Sequence, residues 1–226
     1  TMLIDHIGAS CLEAGLLVPL IASGTFSTDP AAASLLQMDR VLRSIGRLAF
    51  PLFCFLLVEG FLHTHDVKRY VERLFLFGLL SEVPFDMAFF RTPFHWGNQN
   101  VYWTLALGVL AMALMQKFQD AEGNIAWKGR LAALGCVVLA QLLQTDYGAI
   151  GVALIVALYL TRNNRKYQCI IGAAMMLFEL TAPLAFVLIW FYNGQRGRCP
   201  QWVKWAFYGF YPVHLSILAV VTNWVL

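Results

Sequence analysis

The sequence has few charged residues. Asp, Glu, Lys and Arg make up 13% of the chain, about half of the ~25% that soluble domains carry. Hydrophobic residues make up 59% of it, and the mean hydropathy is +0.64. This balance leaves little room for a soluble domain. It predicts one integral-membrane domain over residues 1–226.

Several motifs are missing as well. The five cysteines, Cys11, Cys54, Cys136, Cys169 and Cys199, are scattered and form no C-x-x-C pair. They therefore indicate neither a disulfide framework nor a zinc site. The sequence also contains no serine elbow, P-loop or H-E-x-x-H motif, so none of the enzyme classes that these motifs mark is indicated.

Long apolar runs are present and predict an all-α fold, a polytopic transmembrane helical bundle of about nine spans. The predicted spans are about 2–23, 39–62, 68–90, 101–117, 129–144, 147–161, 167–180, 181–193 and 202–225. Several are shorter than the ~20 residues that a straight span needs. The segments near 147–193 are therefore expected to be tilted, re-entrant or shielded by neighbours. Alternatively, Pro183 kinks one long helix there.

The basic residues predict the orientation of these spans. With a cytoplasmic N-terminus, twelve of the sixteen Lys and Arg residues lie in cytoplasmic loops, and the outer loops hold Arg91 alone. The positive-inside rule thus predicts a cytoplasmic N-terminus, an outer C-terminus and multi-pass insertion in the inner (cytoplasmic) membrane. Basic residues in the predicted cytoplasmic loops account for the net charge of +3. The charge therefore gives no reason to predict a nucleic-acid partner.

Ionisable residues interrupt the apolar runs. A charge in the hydrocarbon region costs roughly 2.5–3.5 kcal/mol on insertion scales, so a buried cluster of both signs is a hypothesis of function. Ion pairs that only lock helices together are the plainer alternative. The interrupting residues are Asp5, His6, Glu13, Arg47, Glu59, Glu82, Asp86 and His214.

Asp5 and His6 open this set. Neighbours on a helix point about 100° apart, so the two do not face each other, and each needs a partner from another helix. The pKa of histidine lies nearest neutrality of any side chain, so His6 suits a general base. The alternative for His6 is a single structural hydrogen bond.

Three arginines share one face of the second predicted span. Arg40 and Arg43 are expected to snorkel outward, whereas Arg47 lies two turns deeper and needs an internal acid. Glu82 and Asp86, an i, i+4 pair in the third span, are its expected counter-charges, with Glu59 as another candidate.

Histidines and bases cluster where the second span ends. Glu59, His63 and His65 could hold a metal, but their spacing matches no metalloenzyme motif, and no metal is predicted. The basic cluster of Lys68, Arg69 and Arg73 follows directly. It could hold the phosphates of a nucleotide-like cofactor. The sequence alone favours the plainer interpretation, that these bases mark the cytoplasmic side.

Two predicted outer loops are rich in donors and aromatic residues. They are Phe94–Asn100 and Thr145–Gly148, the second of which includes Asp146 and Tyr147. Both loops could line the outer entrance of a substrate-binding cavity. Aromatic residues at such edges are more often interfacial anchors.

Sequence blocks from one end of the chain to the other share the pattern of a known family. They are Thr1–Gly8, Arg43–Pro51, Leu56–Phe61, Ser81–Asp86, Asn100–Gly108, Asp146–Gly148 followed by Gly151 and Val152, and Tyr211–Leu215. In combination they resemble the TraX family, membrane proteins associated with N-terminal acetylation of conjugative pilin. The resemblance implies a membrane-embedded acetyltransferase with acetyl-CoA as a cytoplasmic co-substrate. The implied acceptor is an amine, such as a membrane-held peptide or pilin N-terminus.

The resemblance also suggests roles for the ionisable residues. His6 would be the base, tuned by Asp5 or Glu59, and Arg47, Asn100 or Tyr147 would polarise the thioester carbonyl. The residues expected to bind the cofactor are His63, His65, Lys68, Arg69 and Arg73. Those expected to bind substrate or support the site are Glu82, Asp86, Asp146 and His214. Intramembrane acids and histidines suit proton relays equally well, so a proton-coupled transporter is the rival interpretation. A non-catalytic membrane scaffold is a third.

Overall fold

The computed structural model describes residues 1–195 and 200–226, and this part of the chain is all-helical, which confirms the predicted fold class. Arg196, Arg198 and Cys199 lie outside the described residues. The α-helices are α1 (Met2–Ile7), α2 (Val18–Ala22), α3 (Ala32–Gly46), α4 (Ala49–Leu62), α5 (Val67–Phe90), α6 (Val101–Lys117), α7 (Trp127–Leu142), α8 (Gly148–Leu160), α9 (Arg165–Met175), α10 (Ala185–Trp190) and α11 (Gln201–Trp224). A π-helix, Gly8–Leu17, joins α1 to α2.

Three helical stretches in the described ranges are long and apolar enough to cross a membrane. They are Met2–Ala22, Ala32–Leu62 and Gln201–Trp224, of 21, 31 and 24 residues. Two shorter apolar helices, α6 and α8, lie between them. The number of spans and the cytoplasmic N-terminus remain predictions.

Ring and charge contacts show which helix ends lie together. Arg165, which begins α9, lies 3.9 Å from Glu59 near the end of α4. Helices α5 and α11 run side by side in the same direction. Two contacts show this: Arg73 lies over the ring of Tyr208, and, further along both helices, the Asn223 amide donates a hydrogen bond to the carbonyl of Met87. We call the end formed by residues 59–73, 117–130, 158–168 and 201–208 the basic end, and the other the opposite end.

The segments predicted as spans 167–180 and 181–193 form a helical hairpin. Its helices, α9 and α10, have 11 and 6 residues, well short of the ~20 that a straight span needs. The hairpin leaves the basic end with Arg165 and returns there, where Tyr192 lies 5.3 Å from the Arg165 guanidinium. The arrangement resembles the re-entrant alternative. At its turn, Thr181 donates a hydrogen bond to the carbonyl of Ser44.

The buried hydrophobic residues form a core cluster that draws on every helix from α4 to α11. Helices α1 and α3 pack beside it at one very close approach, since a Cβ added to Gly46 would overlap the Cβ of Asp5. Only glycine permits this contact. The packing therefore fixes Asp5 and His6 against the break between α3 and α4, where Arg47 lies.

Candidate functional site

A cavity of about 870 Å³ runs between α4, α5, α6 and α11, and its lining is mostly apolar. Near the basic end it is lined by Tyr70, Trp202 and Val203. At its other end the lining becomes polar and consists of Asp5, His6, Asp146 and Tyr147. An apolar pocket with a few convergent polar groups is the usual form of a small-molecule site, so this cavity is the candidate functional site.

His6 is held by a second histidine. Nδ1 of His6 lies 2.7 Å from Nε2 of the buried His214, and Nδ1 of His214 lies 2.6 Å from the carbonyl oxygen of Phe210. A carbonyl only accepts, so His214 donates from Nδ1, and Nε2 of neutral His214 accepts from His6. The remaining ring nitrogen of His6, Nε2, then keeps its lone pair. The two contacts assign His6 the tautomer of a general base.

Aromatic rings surround this pair. The His6 and His214 rings lie edge to edge and nearly in one plane, with centroids 5.0 Å apart, and the rings of Phe89 and Tyr211 meet His6 nearly at right angles at centroid distances of 5.4 and 5.6 Å. The orientation of His6 is therefore determined by packing as well as by hydrogen bonding. Asp5 does not touch His6 in an ion pair, in agreement with the angular argument from the sequence.

Asp5 pairs with Arg43 from α3, with Oδ2 2.9 Å from the guanidinium. The prediction that Arg43 snorkels outward is therefore wrong, because the close approach at Gly46 brings the carboxylate to it. The second oxygen, Oδ1, is buried and has no hydrogen-bond partner in the described residues. This leaves an acceptor at the polar end of the cavity.

Arg47 has an acidic partner, but the partners predicted for it are wrong. Its guanidinium lies 3.2 Å from Glu179 and 3.5 Å from the hydroxyl of Tyr147. The reason is the α9–α10 hairpin, whose turn carries Glu179 to the α3–α4 break. Glu179 is not among the acids that the sequence predicts as partners of Arg47. One signal was available, since Glu179 is the last acidic residue of the chain and stands alone in an apolar run.

Tyr147 is held in an uncommon conformation beside Arg47. Its φ is 61°, in the left-handed region that costs a non-glycine residue about 1–3 kcal/mol. Its ring stacks on Phe50 at a centroid distance of 3.6 Å. Asp146 precedes it in the loop between α7 and α8, and burial raises the pKa of this carboxyl to about 6, against the opposing effect of Arg47. Asp146 can therefore hold or release a proton near neutral pH.

Asn100, Glu82 and Asp86 form a separate polar group near the start of α6. The Asn100 amide donates to the carbonyl of Gly78 and to Glu82, and its oxygen caps α6 by accepting from the N–H of Tyr102. Asp86 accepts from the N–H of His95. Asn100 is fully buried and does not line the cavity, so the structure gives it no place at a thioester carbonyl.

The histidine and acid group at the end of α4 is also separate from His6. Glu59 faces Arg165, and Nδ1 of the exposed His63 bonds the Glu59 carbonyl. The geometry therefore offers no route for Glu59 to tune His6. Within residues 1–195 and 200–226, no group of three or more His, Cys, Asp or Glu side chains is arranged to hold a metal.

The three bases of the basic cluster have different surroundings. Lys68 and Arg69 are exposed and pair within their own helix end, with Glu72 and Asp66. His65 is likewise exposed. Arg73 is half-buried, and its guanidinium lies over the ring of Tyr208, a residue that lines the cavity. Of this cluster, Arg73 has the contact that places it beside the cavity.

The two aromatic loops meet at the opposite end. Gln99 donates to the carbonyl of Gln144 and accepts from the N–H of Asp146, at 2.9 and 2.8 Å. The hydroxyl of Thr104 contacts Thr145 and the carbonyl of Asp146. These contacts fix the loop that carries Asp146 and Tyr147. The exposed Trp96 lies on the other loop and is not part of the cavity lining.

Comparison with known proteins gives one family. The family model described as TraX protein matches residues 1–222. A relative from Dichelobacter nodosus, described as probable fimbrial assembly protein FimC, serogroup H1, is 33% identical over 213 residues, which cover 78% of this chain and 81% of the relative. No solved structure matches the chain. The apolar helices and the family together indicate a membrane protein, and the chain belongs to the TraX family.

Proposed function

We propose that this chain is a multi-pass acetyltransferase of the inner (cytoplasmic) membrane, which moves an acetyl group from acetyl-CoA to an amine. One observation carries the proposal. An apolar cavity of about 870 Å³ ends at His6, whose contact with His214 leaves the lone pair of the His6 ring on Nε2.

The walls of the cavity suit the donor. Phe53, Leu57 and Leu74 line its apolar part, which would exclude water from a bound thioester and so prevent hydrolysis. Arg73, beside Tyr208 at the basic end, is the expected contact for the CoA phosphates, because Arg–phosphate hydrogen bonds are charge-assisted and strong. Lys68 and Arg69 would add a weaker, screened attraction.

The polar end of the cavity suits the acceptor. The Asp5 oxygen that has no hydrogen-bond partner among the described residues and the carboxyl of Asp146 offer acceptors to an ammonium group. A peptide N-terminus has this chemistry, and the fimbrial relative supports a pilin-like peptide as the acceptor.

The reaction requires that the attacking nitrogen lose two protons and that an N–C bond replace the C–S bond. Nε2 of His6 takes a proton from the ammonium group, and the neutral amine attacks the acetyl carbonyl. An N–C bond forms, and the attacking nitrogen loses its second proton as the C–S bond breaks. Of the two protons that leave the nitrogen, one is passed by His6 to the sulfur, so that CoA leaves as a thiol, and the other is released. The Tyr147 hydroxyl and Arg47, which lie 3.5 Å apart, are the donors proposed to stabilise the oxyanion.

The test uses purified chain in detergent with labelled acetyl-CoA. A peptide with a free N-terminus should become labelled, and the same peptide with a blocked N-terminus should not. A proton-coupled transporter would instead need sealed vesicles and a gradient. Absence of label in every amine, together with gradient-driven uptake in vesicles, would contradict the proposal.

A further inference from the structure

A second cavity lies outside the proposed active site. It has a volume of about 790 Å³ and opens at the basic end between α7, α8 and the loop at 118–126. Its floor is formed by small and branched apolar side chains of the two helices, among them Ala133, Val137, Ala153 and Val156. Nothing in the proposed acetyl transfer uses this cavity.

Two arginines stand at its rim. Arg130 donates from Nε to the carbonyl of Ile125. Arg162 donates to the carbonyl of Tyr159, and its guanidinium lies 4.1 Å from the centroid of that ring. Neither has a carboxylate within 4.0 Å in the described part of the chain. Both guanidinium groups are therefore positioned by neutral partners and keep further donors and their full charge.

The acids of the loop that borders the cavity, Asp120 and Glu122, form hydrogen bonds within that loop. Asp120 accepts from the N–H groups of Glu122 and Asn124, and these hydrogen bonds, chiefly the one from Asn124, lower the pKa of its carboxyl. Glu122 accepts from the Asn124 amide. The loop therefore stabilises its own negative charges, while the charges of the two arginines are not neutralised by any of the ion pairs.

We propose that this cavity binds an anionic phospholipid, with the phosphate between Arg130 and Arg162 and an acyl chain along the α7–α8 floor. The combination of features favours a lipid, since two uncompensated guanidinium groups attract a phosphate and the apolar floor matches a hydrocarbon chain. Basic pockets between helices on the cytoplasmic side are the usual form of such sites. A free phosphate would leave the apolar floor exposed to water.

The experiment measures lipid binding by the full chain in a neutral detergent. Phosphatidylglycerol should raise the melting temperature in a dose-dependent way and should be retained in native mass spectra. Phosphatidylcholine and inorganic phosphate, each at the same concentration, should do neither, and free CoA, for which a separate site in the main cavity is proposed, should not displace phosphatidylglycerol. The double variant Arg130→Gln/Arg162→Gln should bind phosphatidylglycerol about 10-fold more weakly.

Two further variants separate the contributions. Lys128→Gln/Lys166→Gln removes the same charge from exposed positions at the same end that do not line the cavity, and it should keep wild-type binding. Ala153→Phe fills the floor without removing charge and should also weaken binding. If the double arginine variant fails to fold, the exposed Arg130→Gln alone should bind about threefold more weakly.

Three results would overturn the proposal. Equal binding of phosphatidylglycerol and phosphatidylcholine, whose phosphate is balanced by a choline cation, would show that the cavity does not select an anionic lipid. An equal loss of phosphatidylglycerol binding in the lysine control would show that binding depends on the net charge of the protein and not on the two arginines. Displacement of phosphatidylglycerol by free CoA would make the cavity a nucleotide site.

Discussion

Two kinds of ion pair lie at the two ends of the main cavity. At the basic end, apart from the longer and shielded contact of Arg165 with Glu59, Lys68 and Arg69 pair with acids three or four residues away, and their side chains are 87% and 78% exposed. At the polar end, Arg43 and Arg47 pair with acids from distant parts of the chain, and their side chains are only 24% and 28% exposed.

The ion pairs at the polar end join helices that are distant in sequence, whereas those of Lys68 and Arg69 connect residues of a single helix end at the protein surface. Exposed pairs contribute about 0–1 kcal/mol because water screens them. Breaking a buried pair leaves an uncompensated charge and costs more. The pair of Arg47 with Glu179 ties the α9–α10 hairpin to the α3–α4 break, so its loss should disturb both stability and the site.

The largest effect is expected for Arg47→Ala. The variant leaves Glu179 without a counter-charge and removes the neighbour of the Tyr147 hydroxyl. The pair is partly exposed, so we expect about 1–3 kcal/mol of lost stability, with a larger proportional loss of acetyl transfer. Thermal unfolding in detergent measures the first and labelled acetyl-CoA the second. A variant as stable as wild type would show that the hairpin is held by other contacts.

A double-mutant cycle on Asp5 and Arg43 sharpens the comparison. Changing each to Asn and Gln, alone and together, should give a coupling energy of about 1 kcal/mol, since the pair is close and largely shielded. The matched cycle on Asp66 and Arg69 should give less than about 0.5 kcal/mol. Equal coupling in the two cycles would mean that burial does not distinguish the two kinds of pair.

A kinetic effect is expected for the basic cluster. Neutralising Lys68, Arg69 and Arg73 together should raise KM for acetyl-CoA and leave kcat nearly unchanged, because the CoA phosphates lie far from the thioester. The effect should shrink as salt rises. Arg73→Gln alone should reproduce most of it. If the triple variant keeps the wild-type KM, these residues are topology signals only.

The smallest effect is expected for Lys68→Ala. Its pair with Glu72 is an exposed i, i+4 contact with a 3.7 Å separation. The free energy of unfolding, measured by thermal unfolding, should therefore change by no more than about 0.5 kcal/mol. Glu72→Ala is the matched control. A loss comparable to that of Arg47→Ala would remove the contrast between the two ends.

The sequence predicted the features that depend on local pattern. Apolar runs of helix length gave the all-helical fold, and the angle between neighbours on a helix correctly separated Asp5 from His6. The partner of Arg47 could not be predicted, because Glu179 is brought to it by a hairpin whose helices are too short to read as spans. Likewise, the sequence predicts that Asn100 is available as a hydrogen-bond donor. In the structure its amide already donates to Gly78 and Glu82 of α5.

The contact between His6 and His214 shows the same limit. Both histidines were singled out, since each interrupts an apolar run, but they are 208 positions apart and nothing in their local sequence pairs them. Only the packing of α11 beside α1 brings the rings together. The tautomer of His6, on which its role as a base depends, therefore follows from tertiary structure.

The most direct test of the proposed function is transfer by wild type and His6→Ala, measured together with acetyl-CoA binding. The variant should bind acetyl-CoA with wild-type affinity, since the proposed phosphate contacts lie at the other end of the cavity, and its transfer to a peptide N-terminus should fall by about 10²–10⁴-fold. Transfer within threefold of wild type by a folded variant would contradict the assignment of His6 as the base.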